Sequence, residues 1–226
     1  MSIGAAVAVT LLAMAAVNAG MRVGPRWAGP VAGPVAAAGL LLAGRASGLT
    51  WGELGLGGDG GFRYAGVAAG LVAVAYAIGV LIPATRRAFH DTRYRLTARA
   101  ALYAAFVAVP LATVIFEEVA FRGVLWGLIA HERGAAWATG VTSVLFGLWH
   151  VLPGRDLAAA GVGRRSAVRT MLGAVVFTTL AGLVLGALRQ VSGGLLAPIG
   201  LHWAANGLGV LAAAAAWAIG PRCGPG

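Results

Sequence analysis

The chain has 226 residues, of which 59% are hydrophobic and only 11% are charged, and its mean hydropathy is +0.84. A soluble domain of this size could not bury so much apolar surface in one core, so the composition excludes a soluble globular protein and indicates a membrane-embedded bundle. The formal net charge is +10, but the basic residues, all arginines, lie in short segments between apolar runs without interleaved aromatic residues, which excludes a nucleic-acid partner.

Apolar runs long enough to cross a bilayer recur along the whole chain. We predict an all-α, polytopic transmembrane bundle that forms one membrane-embedded domain over residues 1–226, with seven spans near 3–20, 28–44, 65–82, 100–130, 134–151, 170–188 and 196–219. No basic residue precedes the first run, so we expect it to be retained as a span and not removed as a signal peptide. The fourth run is too long for one upright helix, and a kink or break at Pro110 leaves eight spans as an alternative.

The positions of the arginines orient these spans, because basic residues concentrate in cytoplasmic loops. The loops after the first, third and fifth spans, together with the C-terminal tail, carry twelve arginines. The opposite side carries four, which we interpret as ordinary loop charges: Arg45, Arg63, Arg133 and Arg189. This distribution predicts seven spans with the N-terminus outside.

Two segments between the spans are expected to have no catalytic role. The glycine-rich stretch 55–61 lacks the Gly-Lys-Ser/Thr ending of a phosphate-binding loop, so we predict a flexible loop. Residues 131–133 begin like the zinc motif His-Glu-x-x-His, but Ala135 replaces the second histidine, so we interpret them as a loop.

Cys223 is the only cysteine, which excludes a Cys-x-x-Cys metal pair. We predict no metal and no other cofactor.

Ionisable side chains inside an apolar span cost at least about 2.5 to 3.5 kcal/mol on insertion scales, so they indicate a functional site. The fourth predicted span contains Glu117, Glu118 and Arg122. On a helix, Glu118 and Arg122 are i,i+4 neighbours that can form an ion pair, whereas Glu117 points about 100° away and lacks that partner. We predict that Glu118 and Arg122 support the site and that Glu117 exchanges protons. A trio that only stabilises helix packing is the alternative.

Two further polar pairs lie on other predicted spans. Phe146 and His150 share a face at the end of the fifth span, and His202 and Asn206 share a face of the seventh. The two hydrogen-bonding groups of the second pair point the same way inside an apolar helix, and they predict the wall of a polar pocket. An interfacial histidine for the first pair and an interhelical hydrogen bond for the second are the structural alternatives.

The three clusters resemble the motifs of the CPBP family of intramembrane glutamic endopeptidases and occur in the same order. This family includes the CAAX prenyl endopeptidases and bacteriocin-processing relatives. The motif core covers about residues 100–210, and residues 51–56 are similar to a weaker upstream element of bacterial members. The resemblance implies a metal-independent endopeptidase in which Glu117 and His150 activate a water, and His202 and Asn206 stabilise the oxyanion. Glu118, Arg122 and Phe146 would support these groups.

The same resemblance implies a membrane-associated protein or peptide as substrate, within the lipid bilayer. The alanine-rich, lysine-free composition favours a bacterium, and therefore the bacterial inner membrane. A zinc metalloprotease with Glu117, His150 and His202 as ligands is one alternative, and a non-catalytic transporter or scaffold is another. By the predicted spans, these three residues lie at different depths, and they meet only if the helices tilt or the boundaries shift.

Overall fold

The computed structural model describes residues 3–23, 28–57, 61–151 and 164–220. These residues are helical wherever they have regular structure, which confirms the all-α prediction. Cys223 and parts of the loops that carry the predicted cytoplasmic arginines lie outside the described residues. The long helices are α1 (Ile3–Val23), α2 (Gly29–Ala46), α3 (Gly61–Leu81), α4 (Ala98–Arg133), α5 (Ala135–Trp149), α6 (Arg164–Ser192) and α7 (Leu196–Ile219). Short helical turns over Pro83–Arg86, Arg87–Phe89 and Thr92–Tyr94 connect α3 to α4.

Four of these helices are long and apolar enough to cross a membrane: α3, α4, α6 over Val168–Ser192, and α7. The apolar parts of α1 and α5 are shorter, covering Gly4–Gly20 and Ala135–Trp149. The outward side chains of α3, such as Leu71 and Val74, are large, apolar and exposed, as expected for contact with lipid tails. The protein is therefore an integral membrane protein, and the count of seven spans stays a prediction.

Helix α4 is continuous over 36 residues and does not break at Pro110, contrary to one expectation from the sequence. The chain instead forms π-helical segments over Ala104–Ala108 and Pro110–Val114. A proline ring clashes with the carbonyl four residues earlier in an α-helix, and the wider π turn relieves this clash. A third π-helical segment, Val119–Leu125, follows the two glutamates. The helix that carries Glu117 and Glu118 is therefore irregular on both sides of them.

Helix α4 lies at the centre of the bundle, and it contributes more buried residues to the main apolar core than any other helix, including Phe116, Phe121, Leu125 and Leu128. The other helices approach one another at small residues, as is typical of membrane bundles. Between α5 and α6, a methyl group on Gly147 would overlap Thr179, and one on Gly182 would lie 3.0 Å from Ser143 Cα. Between α3 and α7, Gly200 packs on Ala65.

The segment between α2 and α3 is an ordered turn over residues 47–57, whereas the sequence predicted a flexible loop from residue 55. Glu53 caps it: its Oε2 accepts hydrogen bonds from the Thr50 backbone N–H (2.7 Å) and hydroxyl (2.8 Å). Its Oε1 lies 3.0 Å from Nδ1 of His131, which belongs to the last turn of α4 and not to a loop as predicted. This contact between Glu53 and His131 attaches the turn to the end of α4. Residues 58–60 lie outside the described residues.

The glycine contact between α5 and α6 gives a stability prediction. Gly147→Ala would force a methyl group against Thr179 and to 2.8 Å from the Val175 carbonyl oxygen, and such overpacking costs about 1–3 kcal/mol. We expect a lower apparent unfolding midpoint for the purified protein in detergent. Gly140→Ala on the same helix is the control, because a methyl group there meets no atom within 4 Å. Equal midpoints for the two variants would contradict this packing.

The cap at Glu53 gives a pH prediction. Hydrogen bonds from Thr50 and then from His131 lower the pKa of Glu53 from 4.5 to about 2. A carboxyl whose pKa is lower in the folded state stabilises that state above its unfolded pKa, and this contribution disappears as the pH falls from 4.5 to 2. Glu53→Gln is expected to lower the unfolding midpoint at pH 7, and to match the wild type near pH 2. A constant difference across this pH range would show that the charge of Glu53 is not involved.

Candidate active site

The site is built around Glu118, a fully buried carboxylate in the middle of α4. Its Oε1 accepts a hydrogen bond of 3.1 Å from Arg122 Nη1, one turn further along the same helix. The same oxygen lies 2.7 Å from His202 Nδ1 on α7. The i,i+4 ion pair expected from the sequence is therefore present, and a histidine from another helix joins it. Glu118 fixes α7 to α4 at this depth.

Arg122 is also fully buried and extends this network to α5 and α6. Its Nη2 donates to the carbonyl of Gly182 on α6 at 3.3 Å. Its guanidinium carbon lies 4.2 Å from the ring centre of Phe146 on α5, a distance at which a cation is attracted to an aromatic face. Arg122 thus contacts Glu118 on its own helix and two further helices, α5 and α6, which explains how a long cationic side chain is accommodated in the core.

Glu117 lies beside this network but is less buried, with 11% of its side chain exposed. Its Oε1 accepts a hydrogen bond from the indole Nε1 of Trp149 on α5 at 3.1 Å. Its Oε2 lies 3.9 Å from His202 Nε2, which is beyond direct hydrogen-bonding distance. As expected from the sequence, Glu117 does not share the ion pair with Arg122; its hydrogen-bond partner, Trp149, comes from another helix. Trp149 orients one oxygen and leaves the other facing His202.

His150 follows the last residue of α5, and its ring is held by its own helix. Its Nδ1 lies 2.8 Å from the carbonyl oxygen of Phe146. A carbonyl oxygen can only accept, so Nδ1 carries the proton and Nε2 carries the lone pair in the neutral ring. The local geometry therefore selects the tautomer in which Nε2 can accept a proton.

Phe146 separates the two histidines. Its ring centre lies 4.7 Å from that of His150 and 5.8 Å from that of His202, in edge-to-face arrangements. Phe121 contacts Phe146 from α4 in the same manner at 5.2 Å. The aromatic group lines the site with apolar surface, and this lowers the local polarity around Glu117.

Asn206 is placed differently from the other predicted residues. His202 is buried, whereas Asn206 is exposed and lies within the π-helical segment Ala204–Leu208. With 3.6 residues per turn, an α-helix would place residues 202 and 206 on one face. A π turn rotates successive residues by a smaller angle, so the two side chains diverge. Within the described ranges, the Asn206 amide forms no hydrogen bond. Its role in oxyanion stabilisation stays a prediction.

The structure brings together Glu117 and His202, whose predicted depths differed, whereas His150 contacts Phe146. Glu117 on α4, Trp149 on α5 and His202 on α7 lie at one level of the bundle. Trp149 was not singled out from the sequence, although an indole N–H within an apolar run requires an acceptor. The need for an acceptor at position 149, three residues after Phe146, could have identified Trp149 as a site residue.

The zinc alternative predicted that Glu117, His150 and His202 converge as ligands. Over residues 3–23, 28–57, 61–151 and 164–220, no three His, Cys, Asp or Glu side chains form a group that could hold a metal ion. Glu117, His150 and His202 do not form such a group, although each is oriented by an outer partner: Trp149, the Phe146 carbonyl and Glu118, respectively. Their geometry does not support the His2Glu arrangement.

Comparison with known proteins gives one match. Residues 99–208 match a family described as Rce1-like, type II CAAX prenyl endopeptidase. The matched segment contains all seven residues of the predicted site: Glu117, Glu118, Arg122, Phe146, His150, His202 and Asn206. No curated protein and no solved structure shows significant similarity to the chain.

The buried ion pair predicts that removing one charged partner destabilises the protein more than removing both. Arg122→Met leaves Glu118 as a buried charge without its cation, and breaking a buried pair in this way costs about 3–5 kcal/mol. Combining it with Glu118→Gln removes the uncompensated charge, so we expect the double variant to unfold at a higher temperature than the single variant. Arg63→Met controls for loss of an exposed arginine. Equal destabilisation of the single and double variants would contradict a charged pair.

Proposed function

We propose that this chain, which belongs through its residues 99–208 to the CPBP family of CAAX-type membrane endopeptidases, is a glutamic-type enzyme. It hydrolyses a peptide bond with Glu117 as the general base. The observation that carries the proposal is the different environment of two neighbouring acids. Glu118 is fully buried: its Oε1 is bound by Arg122 and His202, and its Oε2 is buried without a hydrogen-bond partner. The side chain of Glu117 is 11% exposed, and its Oε2 faces His202 without a direct hydrogen bond. Glu117 is therefore the acid that is available for proton transfer.

Water activation requires a positioned proton acceptor next to the scissile bond. Glu117 takes a proton from a water molecule, and the water oxygen attacks the carbonyl carbon to form a tetrahedral intermediate. His150, whose Nε2 carries a lone pair, assists by accepting a hydrogen bond from the same water. The C–N bond then breaks, and the proton held by Glu117 passes to the leaving amine. No covalent enzyme intermediate is formed.

The oxyanion of the tetrahedral intermediate requires hydrogen-bond donors. The carboxylate Oε1 of Glu118 accepts a hydrogen bond from His202 Nδ1–H, so the ring is fixed with Nε2 on the side of Glu117. When Nε2 carries a proton, it donates to the oxyanion. Asn206, one turn further along α7 with an exposed side chain, is the second donor that we propose.

The substrate we propose is a membrane-associated protein or peptide whose scissile bond enters the bundle at the level of Glu117. The membrane we propose is the bacterial inner membrane, because the chain is rich in alanine and contains no lysine. No residue of the site points to a prenyl group, so the proposal extends to small membrane proteins and to secreted peptide precursors.

Cleavage of a panel of membrane-anchored peptides in liposomes tests the proposal. Glu117→Gln keeps the shape of the side chain and removes the base, and general-base catalysis contributes about 10²- to 10⁴-fold. We expect kcat of Glu117→Gln to be at least about 100-fold below that of the wild type, and kcat of His150→Ala to be lower by a factor in the same range. Glu132→Gln, the same change on the exposed last turn of α4, is expected to keep the wild-type rate.

Three outcomes would contradict the proposal. Full activity of Glu117→Gln would exclude it as the base. Loss of activity with a chelator, restored by zinc, would favour the metalloprotease. No cleavage by a well-folded wild type across the panel would favour a transporter or scaffold, in which buried polar residues line a solute path.

A further inference from the structure

Arg189 lies near the end of α6 and is only 3% exposed. The sequence assigned it to a loop on the outer side, but the residue belongs to the helix and is buried; the side of the membrane stays a prediction. In the part of the chain that the structure describes, no carboxylate lies within 4.0 Å of its guanidinium. A buried cation without an anion is costly and requires other polar partners.

Backbone carbonyls supply these partners. The Nε of Arg189 donates to the carbonyl of Arg122 on α4 at 3.1 Å. Its Nη2 donates to the carbonyls of Gly52 (3.2 Å) and Glu53 (2.8 Å) in the 47–57 turn. Its guanidinium carbon lies 4.8 Å from the ring centre of Trp126. Because a carbonyl oxygen has two lone pairs, Arg122 can accept this bond without leaving the helix.

The 47–57 turn that Arg189 holds packs closely on α4. Leu54 in this turn has no exposed surface. A methyl group on Gly127 would lie 3.1 Å from the Glu53 carbonyl oxygen, and one on Gly123 would lie 3.3 Å from that of Leu54. The Gly55 carbonyl accepts a hydrogen bond from the backbone of Leu195, just before α7, at 2.9 Å. The turn therefore contacts both helices that carry the Glu118–His202 pair.

We propose that Arg189 is a positioning residue, which clamps the 47–57 turn to α4 and thereby sets the place of Arg122, Glu118 and His202. The path is short: Arg189 binds the Arg122 backbone, the Arg122 side chain binds Glu118, and Glu118 binds His202. A shift of Arg122 would change the separation of His202 from Glu117. A displacement of about 1 Å at a catalytic group can cost about 10²-fold in rate.

The functional part of this inference depends on the proposed protease activity, so its test combines a kinetic and a structural readout. Arg189→Met keeps much of the volume and removes all donors. We expect kcat to fall about 10- to 100-fold, with KM within about twofold, since geometry in the transition state is lost and not substrate affinity. Arg189→Lys is expected to be intermediate, because an ammonium can bind carbonyls but lacks the fork that joins two elements.

Hydrogen exchange supplies the structural readout. In Arg189→Met, the amides of residues 48–57 and 122–127 are expected to lose protection while those of α3 and α5 retain it. This measurement does not depend on catalysis. If the wild type cuts no peptide, the proposed function fails, and the exchange pattern alone decides whether the clamp exists.

Two glycine variants test the clamp without removing the charge. Gly55 has a φ of +82°, and a methyl group there would lie 2.8 Å from Arg189 Nε, so Gly55→Ala displaces the guanidinium. Gly48→Ala in the same turn is the matched control, because Gly48 has a φ of +97° but open space around it. We expect Gly55→Ala to reproduce the kinetic and exchange changes of Arg189→Met, and Gly48→Ala to cause only backbone strain.

Two results would overturn the proposal. One is wild-type kcat and unchanged exchange in both Arg189→Met and Gly55→Ala. The other is a loss of protection spread evenly over all helices, in proportion to the loss of activity, which would make Arg189 a general stabilising residue.

Discussion

The carboxylate of Glu118 has no exposed surface, and the arrangement of the helices around it follows from this burial. An uncompensated charge in such a place would cost several kcal/mol, so the bundle must bring cationic and donor groups to it. Arg122 comes from the same helix, and His202 comes from α7. Arg122 in turn requires the Gly182 carbonyl on α6 and the Phe146 ring on α5. One buried charge therefore determines the contacts of four helices.

The neighbouring acid depends on this arrangement. Glu117 and Glu118 are adjacent in sequence, but the helix directs one into the ion-pair network and the other toward Trp149 and His202. In the proposed mechanism, the first acid exchanges protons while the second keeps its ion pair with Arg122. Division of labour between two similar groups through their surroundings is a recurring way of assigning acid and base roles in enzymes. The aromatic residues on α5 separate these groups from bulk polar surroundings.

The sequence was sufficient for what depends on local periodicity. The spacing of Glu118 and Arg122 predicted their ion pair, and the apolar runs predicted the long helices close to their observed limits. It was not sufficient where the outcome depends on packing between helices. The partners of Glu117 and the burial of Arg189 could not be predicted, because the acceptors and donors come from segments distant in sequence. The exposure of Asn206 could not be predicted either, because an α-helical period was assumed across a π turn.

The length of α4 affects how the protein is embedded in the bilayer. At a rise of about 1.5 Å per residue, its 36 residues extend over about 54 Å, whereas the hydrocarbon core of a bilayer is about 30 Å thick. Such a helix must tilt or extend into the headgroup region, and the balance depends on membrane thickness. Glu117 lies near the middle of α4 and is tied to neighbouring helices, so the tilt moves the whole site. Lipid chain length would thus determine how deep in the membrane a bond must lie to be cut.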